Sequence, residues 1–188
     1  MANTEAIRPS PAYLGVIHVI DAITEWTAKL FMLISVPLIF ANVIEVIWRY
    51  AFNDPTVWAL DLTAMSFGAM FMLGCSYALL KGAHVRTDML WDKFSERKKG
   101  IIDSCAYIIF FLPTMAVLFF TSIDDFAYAY SIGERSNSGA WQPILWPLRI
   151  VIPATCGMLF IQGVSELMKS LWAARTGQVL VKHEKIEV

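Results

Sequence analysis

LLKGAHVRTDMLWDKFSERKKG, Leu79 to Gly100, holds nine charged residues, six of them Lys or Arg, and separates two of the longest apolar runs in the chain. A stretch of this kind is either a polar site, centred here on His84 four residues before Asp88, or an anchor at a membrane surface. The flanking sequence decides between them. The chain of 188 residues is 57% hydrophobic and 16% charged, whereas charged residues make up about a quarter of an ordinary soluble domain. Its mean hydropathy is +0.54, which places it among membrane-embedded proteins.

A bilayer core about 30 Å thick is crossed by a helix of about 20 mainly apolar residues. Four segments meet that need, and the reading is an all-α integral membrane protein forming a single membrane domain over residues 1–188. An amphipathic helix over 13–28 precedes spans over 30–49, 61–81, 99–122 and 145–168, and a polar tail covers 170–188. Pro37, Pro113 and Pro153 fall within spans, where neighbouring helices can satisfy the carbonyls they free. Placing both termini and the charged stretch inside the cell puts twelve Lys and Arg residues inside against three outside. The positive-inside rule therefore predicts an N-in, C-in topology. Arg8 is the one basic residue at the extreme N-terminus, and Asp21 and Glu25 follow without a small-residue cleavage site, so no removable signal peptide is expected.

The outer loops are rich in rings: Trp48, Tyr50, Phe52 and Trp58 flank the first, and Tyr128, Tyr130, Trp141 and Trp146 the second. Aromatic belts of this kind sit at headgroup level. The second outer loop is long enough to be a docking surface, with Glu134, Arg135 and Trp141 as candidates, and a passive connector is the equal alternative. Before the first span, His18, Asp21, Glu25 and Lys29 recur at helical spacing as one polar stripe, as in a helix lying in the interface. Packing on a partner helix is the competing account.

Polar residues within spans are costly unless paired. Glu45 and Arg49 are spaced for an i,i+4 pair, and Asp61, opening the second span on the same side, is placed to share Arg49. An ion or substrate site is one reading of this cluster. A structural clamp between the first two spans is the favoured one, since no second cluster faces it. Asp124 and Asp125 at the outer edge, and Gln162 and Glu166 near the inner end of the fourth span, are expected to reach water. A stripe of small residues on the second span, Ala64, Gly68, Cys75, Ala78 and Gly82, fits close packing against another protein element.

Cys75, Cys105 and Cys156 lie in apolar runs without metal-ligand spacing, and no phosphate loop, HExxH or GxSxG motif occurs. The three histidines fall in or near presumed cytoplasmic regions, which disfavours a bis-histidine haem. Neither a cofactor nor nucleic acid is expected, and the chain does not read as an enzyme. Four spans without a dense polar midplane are too sparse for an alternating-access pathway, so the chain reads as an accessory subunit.

Several stretches converge on one family: NVIEVIWRYAF (Asn42 to Phe52), WALD (Trp58 to Asp61), FMLGCSYALLKGAHVRTDML (Phe71 to Leu90), ERSNSGAWQPILWP (Glu134 to Pro147) and IPATCGMLFIQG (Ile152 to Gly163). With them the chain resembles the small membrane subunit of TRAP transporters, the DctQ type, the GAHVRTD element with His84, Arg86 and Asp88 being the most specific. It departs from the family in having Leu62 after Asp61, where two acidic residues are frequent. The resemblance implies a bacterial inner-membrane protein partnered by a large multispan permease, which would hold the substrate and sodium sites, and by a periplasmic substrate-binding protein. It implies uptake of a small organic acid or related solute. The rival readings are a membrane-anchor subunit of an electron-transfer or other membrane enzyme complex, built around His84 and Asp88, and a standalone structural or channel-like protein.

The opening stretch then divides in three. The second span ends near Lys81-Gly82, a short interfacial helix presents Leu90, Trp91 and Phe94 on one side, and Ser95 caps the third span. Its basic residues meet anionic membrane lipids, and His84 pairs with Asp88 to pin the bend.

Overall fold

A computed structural model describes residues 9–82 and 94–180. The described residues are helical apart from turns and one isolated antiparallel bridge, Arg135 to Ile144. In chain order the helices are α1 (Pro11–Met32), α2 (Ser35–Ala51), α3 (Ala59–Leu80), α4 (Glu96–Ala106), a π-helical turn (Tyr107–Phe111), α5 (Leu112–Ser131), the short α6 (Trp146–Arg149) and α7 (Val151–Thr176). Four helical runs are long and apolar enough to cross a membrane: Pro11–Ala51, Ala59–Leu80, Glu96–Ser131 and Trp146–Thr176. The interfacial helix expected between the second and third spans, and the pairing of His84 with Asp88 beside Arg86, lie outside the described residues.

Local chemistry sets the ends and the breaks. Ser10 caps α1, its Oγ accepting from the Tyr13 amide at 3.3 Å, and Pro11 occupies the first turn, where its missing N–H costs nothing. Gly177, at φ 70°, closes α7 in the left-handed conformation. Each proline within an apolar run coincides with an irregularity, because it removes one i→i−4 hydrogen bond and its ring crowds the carbonyl four residues back. Pro37 follows the Leu33–Ile34 break between α1 and α2, Pro113 follows the π turn, and Pro153 follows the Ile150 junction of α6 and α7.

The run from Pro11 to Ala51 has 41 residues, interrupted at Leu33–Ile34, so its contour is about 60 Å at 1.5 Å per residue, twice a bilayer core. The stretch expected to lie flat before the first span is thus continuous with it. Its inward stripe is Ile17, Asp21, Thr24 and Ala28, packed on α3 and α7, while His18 and Lys29 face outward. The competing account, packing on another helix, describes α1, and the helix it packs on belongs to the same chain.

α7 is the central element, touching α1, α3, α4, α5 and α6, while α2 packs on α3. The exterior is inverted relative to a soluble protein. α2 buries Ala41 and turns Ile39, Phe40, Val43, Val46 and Ile47 outward, and Phe110, Val117 and Phe120 are similarly exposed; such continuous apolar surface needs lipid or a protein partner. Two ends can be distinguished. Tyr13 meets Met168 and Trp172, and Arg97 donates to the Ala174 carbonyl, at a basic end. Asp61 meets Ser136, and Arg149 meets Asp125 and Glu134, at a loop end.

The tightest helix crossing is α4 over α7. A Cβ added to Gly100 would lie 2.5 Å from the Ala174 nitrogen and 2.7 Å from the Ser170 oxygen, both backbone atoms that cannot swing aside. At Gly68 an added Cβ would meet only Leu148 Cδ1, at 3.8 Å. Gly100→Ala is therefore expected to destabilise the detergent-solubilised chain by about 1–3 kcal/mol, read as a fall in its unfolding midpoint, with Gly68→Ala nearly neutral. Equal midpoints for the two variants would contradict the crossing.

Candidate functional site: polar clusters at the two ends of the bundle

Two sets of polar side chains are drawn inside this apolar molecule. At the basic end, Asp21 of α1 meets a row on α7, Gln162, Ser165, Glu166 and Lys169, whose spacing of three and four residues puts them on one helical face. Asp21 Oδ1 accepts from Gln162 Nε2 at 3.0 Å and from Ser165 Oγ at 2.8 Å, and its Oδ2 lies 2.8 Å from Lys169 Nζ. Lys169 Nζ also lies 2.7 Å from Glu166 Oε1, to which Gln162 Nε2 donates at 3.3 Å. Thr24 Oγ1 donates to Gln162 Oε1 at 2.7 Å. Gln162 and Ser165 are 0% exposed, Glu166 4% and Lys169 8%. The Tyr13 hydroxyl extends the seam by donating to the Met168 carbonyl.

This corrects the expectation that Gln162 and Glu166 are solvated at a helix end. Their depth follows from α1, whose Asp21 supplies a partner and whose body excludes water. The polar stripe assigned to α1 divides: Asp21 turns inward, while Lys29 pairs with Glu25 at 3.2 Å on the outer side. The signal lay in two matching rows, Asp21 with Thr24 and Gln162 with Ser165, Glu166 and Lys169, each spaced for one face.

At the loop end the hub is Arg149, in sequence only one of the three basic residues expected on the outer side. Its Nε and Nη2 reach Glu134 Oε2 and Oε1 at 3.1 and 2.8 Å, a bidentate pair, and Nη1 reaches Asp125 Oδ2 at 2.8 Å. Glu134, a docking candidate, is thereby committed to Arg149. Arg135 donates to the Gln142 carbonyl at 3.3 Å, and Trp141 is outward-facing. Asp61 is 1% exposed; its Oδ1 accepts from Ser136 Oγ at 2.6 Å, and its Oδ2 has no hydrogen-bond partner among the described residues. Gly139 closes over it, since a Cβ there would stand 2.6 Å from Oδ2.

Asp61 therefore does not share Arg49, a second correction. Arg49 reaches Glu45 Oε1 at 2.9 and 2.6 Å, while Glu45 Oε2 accepts from the Thr56 amide at 2.9 Å and from the Thr56 hydroxyl. The α2–α3 connection is closed by Thr56 and by Asn42 Nδ2, which donates to Thr63 Oγ1 at 3.2 Å. Asp61 instead ties α3 to the second outer loop, a partnership across 75 residues that no local spacing signals. The small-residue stripe is not one buried face: Ala64 is exposed, Gly68 and Cys75 are half-buried, and Phe67 and Phe71 point outward. Among the described residues no group of three or more His, Cys, Asp and Glu could hold a metal ion.

The sequence profile of the family described as tripartite ATP-independent periplasmic transporters, DctQ component, matches residues 38–172, from the first turn of α2 almost to the end of α7. The chain belongs to this family. DctQ components are transporter subunits and not enzymes. The chain is similar to the C4-dicarboxylate TRAP transporter small permease protein DctQ of Vibrio cholerae serotype O1, 39% identical over 70 residues that make up 37% of this chain and 29% of that one. It is also similar to the sialic acid TRAP transporter small permease protein SiaQ of the same organism, 31% identical over 71 residues covering 36% of this chain and 41% of that one. The alignments thus span less than half of either relative. No solved structure matches. α1 lies outside the profile match, so the seam joining this DctQ component's first and last helices is read from its own geometry.

Breaking a buried pair by removing one partner strands a charge and costs about 3–5 kcal/mol. Lys169→Met, which leaves Asp21 and Glu166 facing each other without a cation, is expected to cost that much in unfolding measurements; a change below roughly 1 kcal/mol would show that the seam does not hold α1. Arg149→Ala is expected to speed chymotryptic cleavage at Trp141, with Arg149→Lys only partly protective because an ammonium cannot reproduce the bidentate fork. Unchanged cleavage would show that Arg149 does not tether the loop.

Proposed function

We propose that this DctQ component is the small transmembrane subunit of a TRAP-type secondary transporter, supporting ion-gradient-driven uptake of a small organic acid or related solute by packing against and anchoring the large permease subunit. The observation that carries this reading is how its polar groups are used. Asp21, Gln162, Ser165, Glu166 and Lys169 answer one another, as do Arg149, Asp125 and Glu134. What remains outward on the spans is predominantly apolar. A transport path needs polar groups offered to a passing solute, and these are closed on themselves, so substrate and sodium belong to the larger subunit.

Family membership supports association with a large permease and a periplasmic binding protein, and with four apolar helices it supports a multi-pass protein of the bacterial inner membrane. The excess of Lys and Arg at the basic end, where Lys81, Arg97, Lys98, Lys99 and Arg175 lie, supports placing that end and both termini in the cytoplasm. The loop carrying Arg135 and Trp141 then faces the periplasm, where the binding protein docks.

Tagged chain co-expressed with its large permease subunit is expected to retain that permease through detergent purification, and vesicles are expected to take up solute only when both subunits and the binding protein are present. Uptake by this chain alone, or by the large permease at an undiminished rate without it, would overturn the reading.

A further inference from the structure

We propose that a cavity between the first turn of α1 and the last turns of α7 binds the phosphate of an anionic phospholipid headgroup. The cavity measures about 400 Å³ and is lined by Ser10, Tyr13, Leu171, Trp172 and Arg175. Among the described residues no acidic side chain lines it. Arg175 is exposed and makes no ion pair among the described residues. Tyr13 and Trp172 form one wall, ring centroids 6.0 Å apart, and the Tyr13 hydroxyl is committed to the Met168 carbonyl. The Trp172 indole N–H has no acceptor among the described residues.

The cavity lining thus brings together a guanidinium fork, an indole ring and the apolar side chain of Leu171. A guanidinium matches two phosphate oxygens at once, tryptophan and tyrosine favour the headgroup layer, and basic pockets between helices at a membrane surface take anionic headgroups. Net charge separates anionic from zwitterionic lipids, since a choline or ethanolamine cation cancels the phosphate. The surroundings are cationic: Arg97 Nε donates at 3.1 Å to the carbonyl of Ala174, the residue before Arg175, and Lys98 is exposed beside it in sequence. The proposal requires that this end of α7 lie at a membrane surface and is independent of which partner covers the spans.

The test is native mass spectrometry of the full chain in mild detergent, titrated with phosphatidylglycerol, phosphatidylcholine or inorganic phosphate. Phosphatidylglycerol is expected to bind one to one and in preference to phosphatidylcholine. Arg175→Gln is expected to weaken it roughly fivefold, the effect of one basic side chain at a headgroup layer. Trp172→Phe, which keeps the ring and removes the donor, is expected to weaken it less than Arg175→Gln, and Lys98→Gln, outside the cavity, to leave it unchanged. Equal affinity for the two lipids, or no loss in Arg175→Gln, would overturn the proposal. So would an equal loss in Lys98→Gln, which would mean a diffuse basic surface, or full competition by millimolar inorganic phosphate, which would mean a free-anion site.

Discussion

Lys169 stands 2.8 Å from Asp21 and 2.7 Å from Glu166 in a setting where no side chain of the trio reaches bulk water freely. In lipid an unanswered charge has no solvent to fall back on, so α1 and α7 have one low-energy relation, the one that brings Asp21 to Lys169. The rest follows from it. With α1 held against α7, its inward stripe covers Gln162, to which Thr24 donates, and α1 also packs on α3. α2, continuing from α1 past the break before Pro37, is then delivered alongside α3 at Asn42 and Thr63.

The loop end obeys the same rule with different parts. Arg149 gathers Asp125 and Glu134, so that α5, α6 and the strap between them close as a unit, and Asp61 fastens α3 to that strap through Ser136. Polar and charged side chains join α1 to α7 along the seam and close the loop end, while apolar close approaches such as Gly163 against Phe111 join other helix faces.

Most of the architecture was legible in the residues. Run length and hydropathy are local properties, and they suffice for four membrane-crossing helices; the segments from Asn42 to Gly163 carried the family. What periodicity cannot supply is which face meets which. It placed Asp21 on a stripe with Glu25 and Lys29 and left open where that stripe faced. Gln162 and Glu166 read as solvated because each was considered on its own helix, and their burial comes from an element about 140 residues away in the chain. Asp61 lies on the same side of the membrane as Arg49 by span counting alone, whereas its partner arrives with the second outer loop. The glycine that governs a helix crossing, Gly100, sits among charged residues, where small size reads as a loop feature.

The seam also has a schedule. Asp21 leaves the ribosome among the first residues and Ser165 144 positions later, so for nearly the whole of synthesis the first helix carries a carboxylate whose counterpart does not yet exist. α1 can occupy its final place only once the last helix has been inserted. A chain cut short before Lys169 keeps an acidic group without its cation, and the first helix then has no charged partner to fix its place.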